Sequence, residues 1–184
     1  MSLKAFEGDS LLGVEIARLV REFNIQSAIE TGTEYGGTSI ALSQMVSQVV
    51  TCDIEKRVSE LPGNVKFILA DSRTVLAYAI GVSTPPILFY LDAHTQDFSE
   101  PCPLTEELEL IARYTVKYPP PVIVIHDCRV PDHPELGFAT YKGVPISLES
   151  IHTQIVSIYP HGFRFHYNSE ATGARRGVLF ITPS

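Results

Sequence analysis

Apolar residues recur along this chain at two periods, and the change from one to the other divides it into alternating helices and strands. Leu12, Ile16, Leu19, Val20 and Phe23 repeat at helical spacing and predict a helix over Leu11 to Phe23. A short apolar run, Ser27 to Glu30, reads as a first strand, Thr38 to Ser47 as a helix, and Val49 to Asp53 as a second strand. Asn64 to Leu69 is a third strand, entered through the Pro62-Gly63 turn. Ser72 to Ile80 reads as a helix and Pro86 to Leu91 as a fourth strand. Leu104 to Tyr118 is strongly amphipathic and is stopped by Pro119, Pro120 and Pro121, none of which can continue a helix. Val122 to Ile125 is apolar at every position, the mark of a strand buried on both faces. After an irregular stretch come a helix over Ile146 to Ile158 and two closing strands, Phe163 to Tyr167 and Gly177 to Ile181, paired around Asn168 to Ala174.

Strands that alternate with helices and are apolar on both faces belong to a parallel sheet covered on two sides. The expected class is therefore α/β, a doubly wound and mostly parallel sheet closed by a C-terminal antiparallel hairpin. The 184 residues suffice for one such domain, taken as residues 1–184. No internal repeat or low-complexity tract interrupts the alternation.

Composition narrows the partners. With 45% hydrophobic and 19% charged residues the balance is that of an ordinary globular protein. A net charge of −7 argues against a nucleic-acid backbone as the main partner, because phosphate binding requires clustered Lys and Arg. Arg175-Arg176 is the only adjacent basic pair without acids beside it. No apolar run reaches the roughly 20 residues that span a bilayer, and the N-terminus lacks a signal-peptide pattern. Cys52, Cys102 and Cys128 are scattered and odd in number, which fits reduced thiols in a cytoplasmic protein. A small-molecule acceptor, with no nucleic acid or membrane, is the expected partner, and a homodimer is compatible with the chain.

The chemistry concentrates where strands end. Glu30-Thr-Gly32-Thr33-Glu-Tyr35-Gly36-Gly-Thr-Ser39 joins the first strand to the first helix after it. Its glycines permit close backbone approach and positive φ, and the turn opens a helix N-terminus. Asp53 lies about 20 residues past Gly32, the spacing at which an acid in a βαβ unit accepts hydrogen bonds from ribose hydroxyls. The loop is a nucleoside-binding crevice. A dinucleotide fold would show G-x-G-x-x-G. Here the pattern is Glu30-x-Gly32-x-x-x-Gly36, which resembles motif I of the class I S-adenosylmethionine (SAM) methyltransferases.

That resemblance covers roughly residue 10 to the C-terminus. It implies a Rossmann-like, seven-stranded sheet and SAM as cofactor, with Glu30, Gly32, Thr33, Tyr35, Gly36, Ser39 and Asp53 around it. It also implies Asp71 and Ser72 beside the adenine; Asp71 suits equally the N-cap of the following helix.

Two neighbouring strand ends carry the remaining polar residues: Asp92-Ala93-His94 after the fourth strand and His126-Asp127 after the fifth. Neighbouring strands lie about 4.8 Å apart, so these side chains converge. Paired acids with imidazoles form a metal site, a general-base site, or both. The sequence is similar here to the metal-dependent small-molecule and sugar O-methyltransferase branch, which includes cephalosporin-hydroxylase-like proteins, but has His126 where an acid would stand. On this reading Asp92, His126 and Asp127 are the metal candidates. Magnesium prefers all-oxygen ligands, and imidazole shifts the expectation toward manganese, iron or zinc. Asp92, Asp127 and His94 are the catalytic candidates, His94 as base because imidazole titrates near neutral pH. The loops Thr95 to Pro103 and Arg129 to Pro145 leave the same edge, the second long for its type, with His133, Phe138 and Tyr141 as candidate substrate contacts. The expected activity is methyl transfer to a small-molecule hydroxyl. The alternatives are a SAM-binding domain without transfer and a metal-dependent hydroxylase on the same fold.

Overall fold

The computed structural model describes residues 4–94, 102–168 and 170–184. In chain order they form α1 (Ser10–Glu22), β1 (Ser27–Thr31), α2 (Gly37–Ser43), β2 (Gln48–Asp53), β3 (Val65–Leu69), α3 (Ser72–Val82), β4 (Ile87–Leu91), α4 (Leu104–Thr115) and β5 (Val122–Ile125). After these come β6 (Thr140–Tyr141), β7 (Val144–Pro145), α5 (Leu148–Ile158), β8 (Phe163–Tyr167) and β9 (Leu179–Pro183). Seven strands make one sheet in the order β3-β2-β1-β4-β5-β9-β8, parallel except for β8 and β9. The order reverses between β1 and β4, the switch point at which open α/β sheets bind ligands. The expected mostly parallel seven-stranded sheet with its closing antiparallel pair is borne out.

Strand parity sorts the core into two layers. Ala28, Val49, Leu88, Tyr90, Val122, Val124 and Phe180 pack against Leu12, Ile16 and Leu19 of α1 and Leu42 of α2. Their neighbours Ile29, Val50, Phe89, Leu91, Ile123, Ile125 and Ile181 pack against α3, α4 and α5. Both layers exclude water, which is why β4 and β5 are apolar at every position and not alternating.

Helix starts follow local chemistry. Asp9 caps α1 by accepting from the N–H groups of Leu11 and Leu12, Asp71 caps α3, and Ser147 and Ser150 form a reciprocal capping box on α5. Several boundaries depart from the periodicity. α2 stops at Ser43 because the Ser47 N–H turns to Gln26 O and the Asn64 side chain takes the carbonyls of Ser43 and Val46. β9 begins two residues later than expected, since Gly177 bonds to Gly137 and Cys128 while the Val178 N–H donates to the Asn168 side chain. Within the long loop after β5, Lys142-Gly143 forms a two-residue turn with both φ positive, closing the β6–β7 ribbon.

The segment before α1 crosses the carboxyl edge of the sheet. Its Phe6 is 3% exposed, its ring 5.9 Å from that of Tyr90, and its N–H donates to the Thr38 hydroxyl. On the other side the carbonyl of Glu7 accepts from Ala174 N–H. Phe6 thus pins a roof over the strand ends. Phe6→Ala should lower unfolding free energy in urea by about 3 kcal/mol, as buried Phe-to-Ala changes do. A loss below about 1 kcal/mol would mean the segment is only draped on the surface.

Candidate active site at the carboxyl ends of the strands

Register sets the site. Thr31, Leu91 and Ile125 stand side by side at the ends of β1, β4 and β5. The ladder runs one residue further, with Asp92 N–H on Thr31 O at 3.0 Å and His126 N–H on Leu91 O at 3.1 Å. Asp92 and His126 therefore share a level and, two residues on from Tyr90 and Val124, share the face turned to α1 and α2. His126 Nδ1 is 3.2 Å from Asp92 Oδ1. Asp127 would by parity face away, but its φ of 58° is left-handed, and its Oδ1 lies 3.3 Å from the same Nδ1. The three expected metal candidates do converge: one potential ligand atom from each lies within 4.8 Å of the others.

These residues are already bonded to basic groups. Arg176 Nε donates to Asp127 Oδ1, the oxygen that His126 also faces. Burial opposes charge on the 3%-exposed His126, but Asp92 and Asp127 outweigh it and hold the imidazole pKa well above its usual range. Burial likewise opposes ionisation of Asp127, yet His126 and Arg176 hold its carboxyl well below the usual carboxylate range. The carboxylates of Asp92, Asp127 and Glu7 thus surround one imidazole and one fixed guanidinium. The spacing would suit a divalent ion, but Asp127 Oδ1, the oxygen it would need, is already held by Arg176 Nε. An ion on Asp127 Oδ1 would stand within about 5 Å of the guanidinium, a repulsion of roughly 6–7 kcal/mol at an effective dielectric near 20. As arranged, Asp92, His126 and Asp127 do not fit a divalent cation.

His94 lies beside this cluster, with its Nε2 3.1 Å from the carbonyl oxygen of His126. A carbonyl only accepts, so Nε2 carries the proton and Nδ1 the lone pair. That Nδ1 is buried without a hydrogen-bond partner among the described residues, and burial lowers the His94 pKa. The ring stands edge-on to Tyr141, 6.4 Å between centroids, so the β6–β7 ribbon brings Tyr141 here. Phe138 is 40% exposed, and His133 pairs with Glu135 at 2.9 Å. Most of the Thr95 to Pro103 loop lies outside the described residues.

In the glycine loop, Gly32 has φ 86°, and a Cβ there would sit 2.3 Å from Asp92 O, so only glycine lets β1 end against β4. Gly36, also at positive φ, is the N-cap residue of α2. Glu30 is 1% exposed and accepts from the hydroxyls of Ser39 and Thr51, and Thr51 in turn meets Thr33 at 2.6 Å. Burial pushes its pKa to about 8 despite these donors. Glu30, Thr33 and Ser39 therefore brace the loop from beneath. Asp53 is half-buried and accepts from Glu34 N–H and Glu55 N–H, which fix it facing the loop with lone pairs to spare. Tyr35 is 39% exposed at the tip. Asp71 is gripped by Arg73 as well as capping α3, and Ser72 is buried.

Sequence reasoning missed four groups. Arg176 was visible only as part of a basic pair, and Glu7, whose carboxylate is 4.0 Å from His126 Nε2, gave no signal. Tyr90 could have been found by counting back two from Asp92; its hydroxyl is buried without a partner among the described residues. Glu107 occupies an inward position of α4 beside Leu104, Leu108 and Ile111. The hydroxyls of Ser72 and Thr31 are near it, but neither carboxyl oxygen has a partner in hydrogen-bonding geometry. A cavity of about 370 Å³ between α1 and the β8–β9 pair, lined by Glu15, Arg18, His166 and Phe180 among others, shares none of these residues.

Neither a family model nor a curated protein matches the sequence. Solved structures do. An O-methyltransferase from Bacillus cereus in complex with SAH is similar over 95% of this chain and 81% of its own, at 16% identity and TM-score 0.63. The O-methyltransferase TomG from Streptomyces achromogenes, involved in tomaymycin synthesis and solved with SAM, is similar over 95% and 80%, at 19% identity and TM-score 0.62. The chain has the Rossmann-like fold of these O-methyltransferases. Precorrin 8W decarboxylase from Methanobacterium thermoautotrophicum is also similar, over 91% and 88%, at 16% identity and TM-score 0.51. Among the described residues no helix is long and apolar enough to cross a membrane.

Glu107 yields a pH prediction. Burial raises its pKa from 4.5 to about 7, so the folded chain keeps a proton that the unfolded chain loses. Stability should then fall as pH rises from about 4.5 to about 7, by roughly 3 kcal/mol from this group alone. Glu107→Gln, which cannot ionise, should flatten the fall of Tm over that window. An unchanged slope would show that the carboxyl is not held neutral.

Proposed function

We propose that this chain is a SAM-dependent methyltransferase acting on a hydroxyl of a small molecule. The observation that carries the reading is Asp53. It is fixed at the carboxyl end of β2 by Glu34 N–H from the glycine loop, beside the switch point of a fold whose O-methyltransferase examples were solved with SAM and SAH. A loop acid at that place accepts from ribose hydroxyls. Gly32 to Gly36 would approach the methionine end with backbone, while Tyr35 at the loop tip and Asp71 and Ser72 after β3 border the nucleoside.

When bound, SAM supplies a methyl group made electrophilic by its sulfonium. The chain's part is to hold the acceptor hydroxyl in line and to remove its proton. His94 suits proton removal, because its Nε2–H is committed to the His126 carbonyl and its Nδ1, kept neutral by burial, has no hydrogen-bond partner among the described residues. Asp92 and Asp127 act through His126, whose ring they position.

Titration calorimetry tests the cofactor. SAH should bind saturably, and Asp53→Ala should weaken it by about 1–3 kcal/mol through loss of charge-assisted hydrogen bonds. Binding of NAD in place of SAH would reject the reading. For transfer itself, metabolite extracts incubated with methyl-labelled SAM should gain a labelled O-methyl product by mass spectrometry. His94→Ala should slow its formation about 10²–10⁴-fold while leaving SAH affinity unchanged.

A further inference from the structure

The O-methyltransferases that the acid pair resembles employ a divalent cation, and here the place of that ion is contested by the chain itself. Arg176 Nε donates to Asp127 Oδ1, the same oxygen that lies 3.3 Å from His126 Nδ1. Arginine cannot lose its proton in a protein, so this cation is permanent. Its placement is built rather than incidental. On one side of Arg176 the Arg175 carbonyl accepts from Gly137 N–H at 2.9 Å, and on the other Gly177 N–H donates to Gly137 O at 2.8 Å. The backbone is thereby clamped against the loop that follows β5.

The side chain then passes directly over Gly137. A Cβ at that position would stand 2.7 Å from Arg176 Nη1 and 3.3 Å from its Cδ, so any residue but glycine would make the guanidinium shift from its seat. Gly137 has no positive φ that would by itself require glycine. Its role is room for the arginine.

We propose that the Arg176 guanidinium, seated on Asp127 through the gap left by Gly137, is a built-in substitute for the divalent cation, so that this centre works without metal. This rests on the methyltransferase reading for its chemistry but not for its geometry. The guanidinium engages Asp127 through Nε alone, and its Nη groups make no hydrogen bond to the described residues. These donors are available to an acceptor oxygen as negative charge develops on it, the electrostatic service that a metal ion would otherwise perform.

The test is calorimetric titration of chelator-stripped protein with Mn²⁺, without SAM or acceptor. Wild type should show no saturable binding up to ~1 mM. Arg176→Ala should bind one Mn²⁺ at least about tenfold more tightly than wild type, because the fixed cation that repels the ion is gone. That gain should disappear when Asp92→Asn is added. Gly137→Ala keeps the arginine but displaces it, and should show the same gain in smaller degree, which guards against misfolding of the first variant. Stoichiometric Mn²⁺ binding by wild type, lost in Asp127→Asn, would overturn the proposal. So would folded Arg176→Ala and Gly137→Ala proteins that both fail to gain affinity. SAH titration of the same wild-type sample reports separately on the methyltransferase reading, so the two can fail independently.

Discussion

Strand register is the constraint on which the rest of the site depends. Because Thr31, Leu91 and Ile125 end their strands in step, the next residues, Gly32, Asp92 and His126, are neighbours across the sheet. Side chains alternate faces along a strand, so a slip of one residue in β5 would turn His126 into the α3–α5 layer and break its contact with Asp92. The slip is prevented by Val122, Ile123, Val124 and Ile125, all fully buried between two helical layers. The apolar strand interior is thus what aims the polar strand ends. Gly32 completes the arrangement by letting β1 end against the Asp92 carbonyl.

Burial then decides the protonation states. A carboxylate removed from water must be paired or neutralised. The site uses both solutions. Asp127 is paired with His126 and Arg176 and stays ionised, whereas Glu30 and Glu107 have hydroxyls or nothing and are held toward the neutral acid. Asp127, at the crevice, is held ionised, whereas Glu30 and Glu107, which brace it from below, are held toward the neutral acid. This division avoids burying uncompensated charge in the core.

The fold alone would leave the chemistry open. Chains of this architecture include O-methyltransferases and a precorrin decarboxylase, and the likeness to each stands well below one residue in four. What distinguishes this chain is the set of side chains at its strand ends. His126 stands between two acids, an arginine returns from the segment leading into β9, and His94 presents an unprotonated nitrogen. Each bears on how an acceptor hydroxyl would be activated.

The sequence by itself determined the alternation of elements, the two-sided burial of β1, β4 and β5, and the clustering of Glu30, Asp53, Asp92, His94, His126 and Asp127 at strand ends. These are local properties, set by side-chain period and glycine placement within a few residues. Helix ends such as Ser43, where Asn64 and Gln26 intervene, were not legible because they depend on partners about twenty residues away. Nor was the orientation of Glu30, which alternation places under the loop once the α1–α2 layer is assembled. Above all, only the tertiary structure decided the charge state of the metal-like triad. Arg176 lies 49 residues from Asp127 and reaches it because β9 runs antiparallel to β5 and Gly137 leaves the guanidinium room. Local spacing carries no record of such a contact, since it arises from how two distant segments cross.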